Sequence, residues 1–389
     1  MLSREGLYYL LVLTFIVGGA TLRDVNLMFM LAGLMIGPLL VNWRLVVLSL
    51  RQLYVERQLP AQVFAGRPFR VEIVGENRRR HLGSWSVVVE DWIEPESETP
   101  AAPRGTRCRA RALLPYVPAR ATAKGSYRVM LPHRGRYTFG PLQVSSRFPM
   151  GLVRASLKLK RPARLVVYPR IGVLAPEWLH MIEPSSVGRQ PIHRRQGPID
   201  GDYYGLREWR NGDSKRWIHW RTTAKLGRLA VRQFEQQHNQ DLALVLDLWQ
   251  PDVADDAALG RVELAVSLAE TIVDDLTRRG SLRLMVAVAA AENGWWSATA
   301  SPVFARQLFE RLALVRAVAH GQLPEILDRV VANVQPGMQV VVVSTRASQL
   351  DEVCASRVFA DRPRPQRELH RAVWLTVGGL QTTAMFQWT

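Results

Sequence analysis

Two long apolar runs begin the chain, at positions 6–22 and 25–43, and neither contains a charged side chain. At a rise of 1.5 Å per residue, a helix of this length is about long enough to cross the ~30 Å hydrocarbon core of a bilayer. The connection at 21–24 is too short for anything but a tight turn. The pattern therefore predicts a transmembrane helical hairpin within residues 1–54. A cleaved signal peptide ending near Gly18, Gly19 and Ala20 is the alternative for the first run.

Basic residues flank the two open ends of this hairpin. Arg4 precedes the first run, the turn has Arg23 offset by Asp24, and three arginines follow the second run, at Arg44, Arg51 and Arg57. Because the cytoplasmic ends of membrane spans carry an excess of Lys and Arg, both ends are expected to face the cytoplasm. We therefore expect a multi-pass protein of the inner (cytoplasmic) membrane, with the bulk of the chain in the cytoplasm.

Residues 55–170 change to short runs in which apolar and polar side chains alternate. The clearest of these runs lie at 70–74, 85–89, 127–130, 137–139 and 165–168, with Pro and Gly residues between them. Alternation with period two indicates half-buried strands, and the frequent turn residues are typical of a small all-β sandwich. We predict such a sandwich here, with residues 95–105 as a long exposed loop.

Residues 241–389 follow a different order, in which apolar strands alternate with amphipathic helices. The predicted strands are 242–248, 282–290, 339–344 and 373–377, with a short edge strand at 295–300, and the predicted helices are 261–279, 303–318 and 324–334. Continuously apolar strands separated by helices indicate a parallel sheet that is covered on both faces. The fold class is therefore α+β multidomain, with this part an open, doubly wound α/β sheet.

Residues 171–240, between these two domains, are predicted to be a basic linker followed by a dense segment at 202–235, here called the signature segment. The linker is irregular over 171–199 and contains Arg189, Arg194 and Arg195. In the signature segment, Asn211 and Gly212 form a turn dipeptide, Asp213 is a good N-cap, and Gly227 is a natural helix stop. A helix over 214–226 follows from these signals.

Spacing along this helix predicts which of its side chains are buried. Trp217, Trp220 or Arg221, and Ala224 follow the spacing of one helical face. The alternating residues 229–234 predict a strand, which we expect to form a hairpin with strand 242–248 through the polar turn at 237–240.

The signature segment resembles a bacterial family, domain of unknown function fifty-eight. The pattern is carried by Leu206, Arg207, Trp209, Gly212, Asp213, Arg216, Ile218, His219, Trp220, Ala224, Gly227, Leu229 and Val231. It extends upstream through Arg134, Gly135, Arg136, Tyr137, Gly140, Pro141 and Tyr168, Pro169, Arg170. The loop at 147–152 departs from it, reading Arg-Phe-Pro-Met-Gly-Leu where the family more often has Asp-Pro-Phe-Gly-Leu.

The resemblance implies an architecture and partners. It implies that residues 241–389 are similar to a von Willebrand factor A domain. It also implies association with an AAA+ ATPase of the MoxR group and with other membrane-associated proteins.

Domains of the von Willebrand A type often bind a divalent cation through an Asp-x-Ser-x-Ser run after the first strand, since Mg²⁺ prefers hard oxygen ligands. Here the corresponding positions are Asp247, Trp249 and Pro251, so only the carboxylate remains. We therefore expect no conventional metal site. A cluster at Asp252, Asp255 and Asp256 could improvise one, but such clusters more often form a solvated loop that starts the next helix.

The charged and aromatic residues of the signature segment have two interpretations. Asp213 with Arg207, Arg210 and Arg216 could clamp an anion or act in catalysis, because Arg binds anions bidentately. Alternatively Asp213 caps the helix and pairs with one arginine, which we favour. Likewise His219 is interpreted as a packed, hydrogen-bonded residue. The tryptophans Trp209, Trp217 and Trp220 could stack nucleobases, but packing in a core explains them at least as well. Arg232 on the following strand completes the candidate set.

The charge of the chain limits its possible partners, and its cysteine content bears on its compartment. The formal net charge is +17, and residues 60–240 carry +18 of it, against +2 for 1–59 and −3 for 241–389. A basic segment beside a membrane anchor favours anionic headgroups, at about 1 kcal/mol per basic residue. The same charge suits nucleic acid or an acidic protein, although a solvated arginine face explains it as well. Cys108 and Cys354 form no disulfide framework, which fits a reducing compartment.

The sequence contains no nucleophile-elbow serine, Gly-rich phosphate loop or Cys-x-x-Cys pair, so we predict neither an enzyme nor a cofactor. We expect a membrane-anchored scaffold or adaptor that faces the cytoplasm and docks partner proteins with a MoxR-type ATPase. The alternative is a polyanion-binding protein or an enzyme that uses the arginine-rich signature segment. A membrane anchor argues against a role with nucleic acid.

Overall fold

A computed structural model describes most of the chain. The described residues are 2–23, 25–96, 107–182, 203–210, 213–234, 241–253, 255–280, 282–320, 323–335, 337–359 and 362–388.

The helices and strands are numbered in chain order. The α-helices are α1 (Arg4–Arg23), α2 (Asn26–Leu50), α3 (Trp178–Met181), α4 (Trp220–Leu226), α5 (Asp256–Arg279), α6 (Pro302–Leu314), α7 (Leu323–Asn333), α8 (Leu350–Ala355), α9 (Pro363–Leu369) and α10 (Leu380–Met385). A 3-10 helix spans Lys215–Trp217.

The strands up to the α/β domain are β1 (Leu53–Gln58), β2 (Val63–Phe64), β3 (Pro68–Asn77), β4 (Ser84–Pro95), β5 (Cys108–Val117), β6 (Thr122–Met130), β7 (Gly135–Phe139), β8 (Leu142–Ser146), β9 (Ala155–Leu159), β10 (Ala163–Tyr168), β11 (Val173–Leu174), β12 (Tyr203–Glu208) and β13 (Ala230–Phe234). The remaining strands are β14 (Leu242–Asp247), β15 (Arg283–Ala289), β16 (Gly294–Thr299), β17 (Gln339–Ser344), β18 (Val373–Thr376) and β19 (Phe386–Gln387).

Helices α1 and α2 are the two predicted apolar helices. Both are long and apolar enough to cross a membrane, and most of their large side chains are exposed. They pack as a hairpin, since the Tyr9 hydroxyl donates a 2.8 Å hydrogen bond to the Met35 carbonyl. Helix α2 extends beyond the predicted end at 43 because Val46, Ser49 and Leu50 are buried.

The region from β1 to β10 is built of two sheets around one core. One sheet has the order β1-β3-β6, and the other has the order β2-β10-β7-β4-β8-β9, with β5 also paired to β4. Both sheets contribute to a single apolar cluster; for example, Val71 and Ile73 of β3 share it with Val87 and Val89 of β4. The two sheets around this shared core confirm the predicted sandwich. Of the predicted loop at 95–105, residues 97–105 lie outside the described residues.

The start of the predicted linker packs on the α/β domain. Strand β11 pairs with β19 near the C-terminal end of the chain. The Trp178 side chain is fully buried in the core formed by β14 and α5, and its indole Nε1 donates a 2.8 Å hydrogen bond to Asp275 Oδ2. Residues 183–200, with the three linker arginines, lie outside the described residues.

The α/β domain has a five-stranded sheet of order β16-β15-β14-β17-β18. All pairings are parallel except that of edge strand β16, which is antiparallel to β15. Alternate residues of β14 contribute to different cores: Leu244 lies in the cluster with α5 and α6, and Val245 lies in the cluster with α7. The sheet is therefore covered on both faces, which confirms the predicted doubly wound arrangement.

The sandwich and the α/β domain meet at a buried arginine. Arg134, just before β7, is fully buried. Its guanidinium pairs with the Glu263 carboxylate of α5 and donates a 2.8 Å hydrogen bond to the Val315 carbonyl. Glu270, two turns along α5, is fully buried, and neither of its carboxylate oxygens has a hydrogen-bond partner among the described residues. Burial raises the pKa of Glu270 well above its ordinary value.

Candidate functional site

The signature segment is a small module built on the antiparallel pair β12 and β13. Arg207 lies opposite Val231 in this pair, and Glu208 lies opposite Ala230. The 3-10 helix and α4 lie in the connection between the two strands. Ile218, Ala230 and Val231 are its buried apolar residues. None of them belongs to the three large core clusters formed by the described residues.

The predicted helix over 214–226 is wrong in its first half. A 3-10 turn occupies Lys215–Trp217, and Ile218 then forms an antiparallel bridge to Val231. This bridge holds Ile218 in an extended conformation, so a continuous helix cannot pass through it. Helix α4 starts only at Trp220 and ends, as predicted, at Gly227 in the left-handed conformation.

His219, and not Asp213, caps this helix. Its Nδ1 accepts a 3.3 Å hydrogen bond from the Thr222 amide and lies 2.8 Å from the Thr222 hydroxyl. Its own amide donates to the Ala230 carbonyl at 2.8 Å, which ties the start of α4 to β13. His219 is thus half-buried, and its Nδ1 is engaged by Thr222.

Asp213 instead forms a two-pronged ion pair with Arg207. Both guanidinium-to-carboxylate distances are 2.7 Å, and the Arg210 amide donates to the same carboxylate at 2.8 Å. The Asp213 side chain is only 7% exposed. The hydrogen bonds from Arg207, with those from the Arg210 backbone, lower the pKa of Asp213, and the carboxylate in turn raises the pKa of Arg207. The pair therefore joins the end of β12 to the 3-10 turn; Gly212, between them, lies outside the described residues.

The predicted buried face of the helix is wrong. Trp220 is 66% exposed, Ala224 is exposed, and Trp217 is half-buried. Helical spacing indicates burial only where a core lies beside the helix, and α4 packs on a two-stranded ribbon that has little apolar surface to offer. Trp209 is half-buried, and its indole Nε1 has no hydrogen-bond partner among the described residues.

The predicted hairpin between β13 and β14 is also wrong. Strand β13 pairs with β12, whereas β14 lies between β15 and β17 in the middle of the five-stranded sheet. A central strand has no free edge to accept another partner. The predicted turn at 237–240 lies outside the described residues.

The surface of the signature segment is strongly basic. Exposed cationic side chains are Arg210, Lys215, Arg216, Arg221, Lys225, Arg228 and Arg232. Arg228 pairs with Glu208, and both partners of that pair are well exposed. Among the described residues of the module, only Arg207 is paired to a carboxylate with little exposure. The module thus separates one structural arginine from a set of basic residues that face solvent.

A second cluster lies at the carboxyl ends of the parallel strands. Asp247, the last residue of β14, is 1% exposed and lies opposite Ser344, the last residue of β17. The Ser344 hydroxyl donates a 2.7 Å hydrogen bond to Asp247 Oδ2. Arg346 donates to the same oxygen through Nε at 3.0 Å and lies 3.5 Å from Oδ1 through Nη2. The carboxylate is therefore neutralised by a guanidinium of the chain itself.

Trp249 and Thr345 hold this cluster in place. The Trp249 amide donates to the Thr345 hydroxyl at 3.0 Å, and the indole Nε1 donates to the Ala319 carbonyl at 2.8 Å. Arg346 lies over the Trp249 ring, 5.8 Å from its centroid. The sequence did not identify Ser344 or Arg346, because only the sheet register brings them beside Asp247.

The position of this cluster is typical of ligand sites in open α/β sheets, which bind at the carboxyl ends of strands where the strand order reverses. Its chemistry is that of a closed ion pair. Of the acidic residues that follow, Asp255 caps α5, since its Oδ1 accepts a 2.7 Å hydrogen bond from the Ala258 amide. Within the described ranges, no group of three or more His, Cys, Asp or Glu side chains is arranged to hold a metal ion.

Comparison with known proteins gives one family match and a distant relative. Residues 205–344 match the family described as "Protein of unknown function DUF58". The chain is 22% identical over 239 residues to "Uncharacterized protein YeaD" of Bacillus subtilis, an alignment that covers 61% of this chain and 56% of YeaD. The chain thus spans little more than half the length of that relative.

Similarities to solved structures are weak. The ASH/PapD-like domain of human CEP192 matches with 12% identity and a TM-score of 0.19, covering 30% of this chain and 83% of that domain. The pilus adhesin RrgA from Streptococcus pneumoniae matches with 9% identity and a TM-score of 0.19, covering 67% of this chain and 40% of the adhesin. Scores this low carry no argument. The match over residues 205–344, with the distant similarity to YeaD, confirms the resemblance found in the sequence: the chain carries a segment of the DUF58 family.

Proposed function

We propose that this protein is a membrane-anchored, cytoplasm-facing scaffold or adaptor, and not an enzyme, whose signature segment docks a partner protein. A von Willebrand A-like α/β domain carries that segment. The partner class that the family resemblance implies is an AAA+ ATPase of the MoxR group at the inner membrane of a bacterium. The anchor is the α1–α2 hairpin, which is long and apolar enough to span a bilayer.

The observation that carries this proposal is the exposure of Trp220 on a module outside the main cores. Trp220 is 66% exposed, and Leu226 and Leu229 of the same module are also exposed. Exposed aromatic residues flanked by arginine are typical of the anchors of protein interfaces, where Trp and Arg contribute much of the binding energy. Arg216 and Arg221 flank Trp220 and are exposed as well.

The two polar clusters favour a structural role over catalysis. Arg207 and Asp213 satisfy each other, and Asp247 is satisfied by Ser344 and Arg346. A reacting group needs a free proton acceptor or an open coordination position beside a cavity. These two carboxylates are engaged by the chain, so the exposed arginines and Trp220 are the groups left for recognition.

A binding experiment with the full chain tests this function. The protein is reconstituted in nanodiscs, and capture of a purified MoxR-type ATPase is measured with wild type, Trp220→Ala and the matched control Leu380→Ala, an exposed residue of the α/β domain. We expect Trp220→Ala to weaken capture at least tenfold and Leu380→Ala to leave it unchanged. Equal capture by all three proteins would sink the proposal.

The polyanion alternative has its own outcome in the same experiment. Binding of DNA, RNA or anionic vesicles driven by the exposed arginines should fall steeply with salt and should not depend on Trp220. Saturable ATPase capture that survives moderate salt and depends on Trp220 favours the adaptor. If the protein instead binds every polyanion, and this binding falls steeply with salt, the result favours the alternative.

A further inference from the structure

The loop between β8 and β9 contacts the residue just before α1 and the second half of α2. The Ser3 amide and hydroxyl, just before α1, donate to the Leu152 carbonyl at 3.0 and 2.9 Å. The Val153 amide donates at 3.0 Å to the side chain of Asn42, a fully buried residue of α2. Asn42 lies two residues before Arg44, where the uncharged run of α2 ends. The loop is thus fixed at the level where the hairpin would leave the hydrocarbon core.

This loop and the strands beside it expose large apolar side chains. Phe148 and Met150 are exposed, and Phe148 stacks on the exposed ring of Trp85 with 5.5 Å between centroids and 21° between planes. Trp85 in turn lies 4.0 Å from the ring of Tyr116. We call Trp85, Tyr116, Phe148 and Met150 the aromatic patch.

The β3–β4 loop, which leads to Trp85, contacts the end of α2. Arg79, whose β3–β4 loop leads to Trp85, donates hydrogen bonds to the carbonyls of Leu48 and Ser49 at 2.5 and 2.9 Å. Leu48 lies six residues beyond Asn42, about 9 Å along a helix. The loop that carries Phe148 and Met150 therefore contacts α2 nearer to the apolar run than the β3–β4 loop does.

We infer that the aromatic patch lies in the lipid–water interface and docks the β-sandwich onto the bilayer. Trp and Tyr are enriched at that level because each has an apolar ring and one polar group. The interface is roughly 5–7 Å deep on each side of the hydrocarbon core, which can hold Phe148, Met150 and Trp85 together. Arg147, next to Phe148 in the chain, and Arg44, two residues after Asn42 on α2, are exposed and supply positive charge that attracts anionic headgroups.

The inference rests on the proposed anchoring by α1 and α2, so the test must separate the two. Single cysteines are introduced into the full chain with Cys108→Ser and Cys354→Ser, spin-labelled, and reconstituted at one protein per nanodisc of phosphatidylcholine and phosphatidylglycerol. The labelled positions are Met150→Cys for the patch, Leu34→Cys on the exposed face of α2 for the anchor, and Met130→Cys as control.

Met130 is a matched control because it is the same residue type with similar exposure, 57% against 51% for Met150. It ends β6 opposite Pro68, whereas the other end of β6 lies opposite Glu76, beside the loop that contacts α2. About 27 Å of strand therefore separates Met130 from that end of the sandwich. Accessibility to oxygen, which concentrates in lipid, is compared with accessibility to a water-soluble nickel chelate.

We expect the oxygen-to-nickel accessibility ratio to be several-fold higher at Met150 and Leu34 than at Met130. A high ratio at Leu34 with a low ratio at Met150 keeps the anchor and overturns the docked patch. A low ratio at all three positions overturns both. Protection of Met150 from both reagents also overturns the inference, because protein and not lipid would then cover the patch. Near-UV circular dichroism of each labelled variant checks that it is folded.

Discussion

The Ser344 hydroxyl donates a 2.7 Å hydrogen bond to the Asp247 carboxylate across two neighbouring parallel strands. Arg346 follows Ser344 by two residues and brings its guanidinium to the same oxygen. The negative charge of Asp247 is thereby compensated by Arg346 of the same chain. The stability of the α/β domain should depend on this ion pair.

Removing the Arg346 guanidinium should lower the free energy of unfolding substantially. In Arg346→Ala, the buried Asp247 carboxylate keeps the Ser344 hydroxyl as its one remaining partner among the described residues. Loss of one partner of a buried pair costs about 3 kcal/mol or more. Asp247→Asn combined with Arg346→Ala should cost less than the sum of the two single changes. Chemical denaturation of the full set gives the coupling energy.

A matched control for this cycle is the exposed ion pair between Arg371 and Glu368. Surface pairs contribute about 0–1 kcal/mol, so Arg371→Ala should change the free energy of unfolding little. If Arg346→Ala and Arg371→Ala have the same effect, Asp247 is not held as described.

Divalent cations should not stabilise the wild-type protein. Trp249 and Pro251 stand where side-chain oxygens would be needed, and Arg346 already occupies the surroundings of Asp247. Melting temperatures are measured with Mg²⁺ or Ca²⁺ against an equal ionic strength of Na⁺. A saturable micromolar rise, following RT ln(1 + [L]/Kd), would show that other residues form a site.

The Arg207–Asp213 pair should control the local stability of the β12–β13 module. Arg207→Ala should lower the local stability of this module by about 1 kcal/mol. Hydrogen bonds to charged groups contribute more than this when buried, but Arg207 is partly exposed, and solvent weakens the pair. Hydrogen exchange of the Trp209 and His219 amides, which bond to Leu229 and Ala230, measures the loss. Arg228→Ala removes an exposed pair and serves as control.

The same pair predicts an acid dependence. The folded pKa of Asp213 lies below its ordinary 3.8, so its contribution is present above the unfolded pKa and is lost as pH falls through the folded value. Asp213→Asn should therefore destabilise the module fully at pH 7, and its effect should decrease as the pH falls below 3.8. An effect that stays constant over this range would contradict the ion pair.

The α/β sheet could be predicted from the sequence, whereas the internal structure of the signature segment could not. The strand at Leu242–Asp247 is continuously apolar, so its burial follows from composition alone. The break at Ile218 depends on a bridge to Val231, thirteen positions away, and no local signal marks it. Asp213 has the sequence context of a helix cap, but Arg207 is held beside it by β12 and takes both carboxylate oxygens. Local rules fail there because a tertiary partner competes for the same group.

Glu270 should make stability fall as pH rises. Its folded pKa is raised by burial, so the folded state holds a proton that the unfolded state releases from about pH 4.5 upward. The contribution is complete below that unfolded value and is lost as pH rises toward the folded one. Glu270→Gln, which resembles the protonated acid, should raise the melting temperature at pH 8 relative to wild type and change it little at pH 4.5.

A matched control for Glu270 is Glu325→Gln in the first turn of α7. Glu325 is not among the fully buried acids, so its substitution should have no comparable pH dependence. Equal pH profiles for wild type and Glu270→Gln would show that the carboxyl is solvated or paired in solution.

The orientation of the hairpin is the last prediction. Arg4 precedes α1, while Arg44 and Arg51 lie at the far end of α2, so the positive-inside rule places both open ends of the hairpin in the cytoplasm. Reporter fusions after Leu59 and after Thr389 should both give a cytoplasmic signal, and one inserted between α1 and α2 should give the opposite signal. In the connection between the helices, the positive charge of Arg23 is offset by Asp24. A variant in which Arg44 and Arg51 are replaced by Glu and two lysines are added to the connection should therefore have a weakened or inverted orientation. A periplasmic signal from either wild-type fusion would place the basic signature segment on the wrong side of the membrane for an ATP-dependent partner.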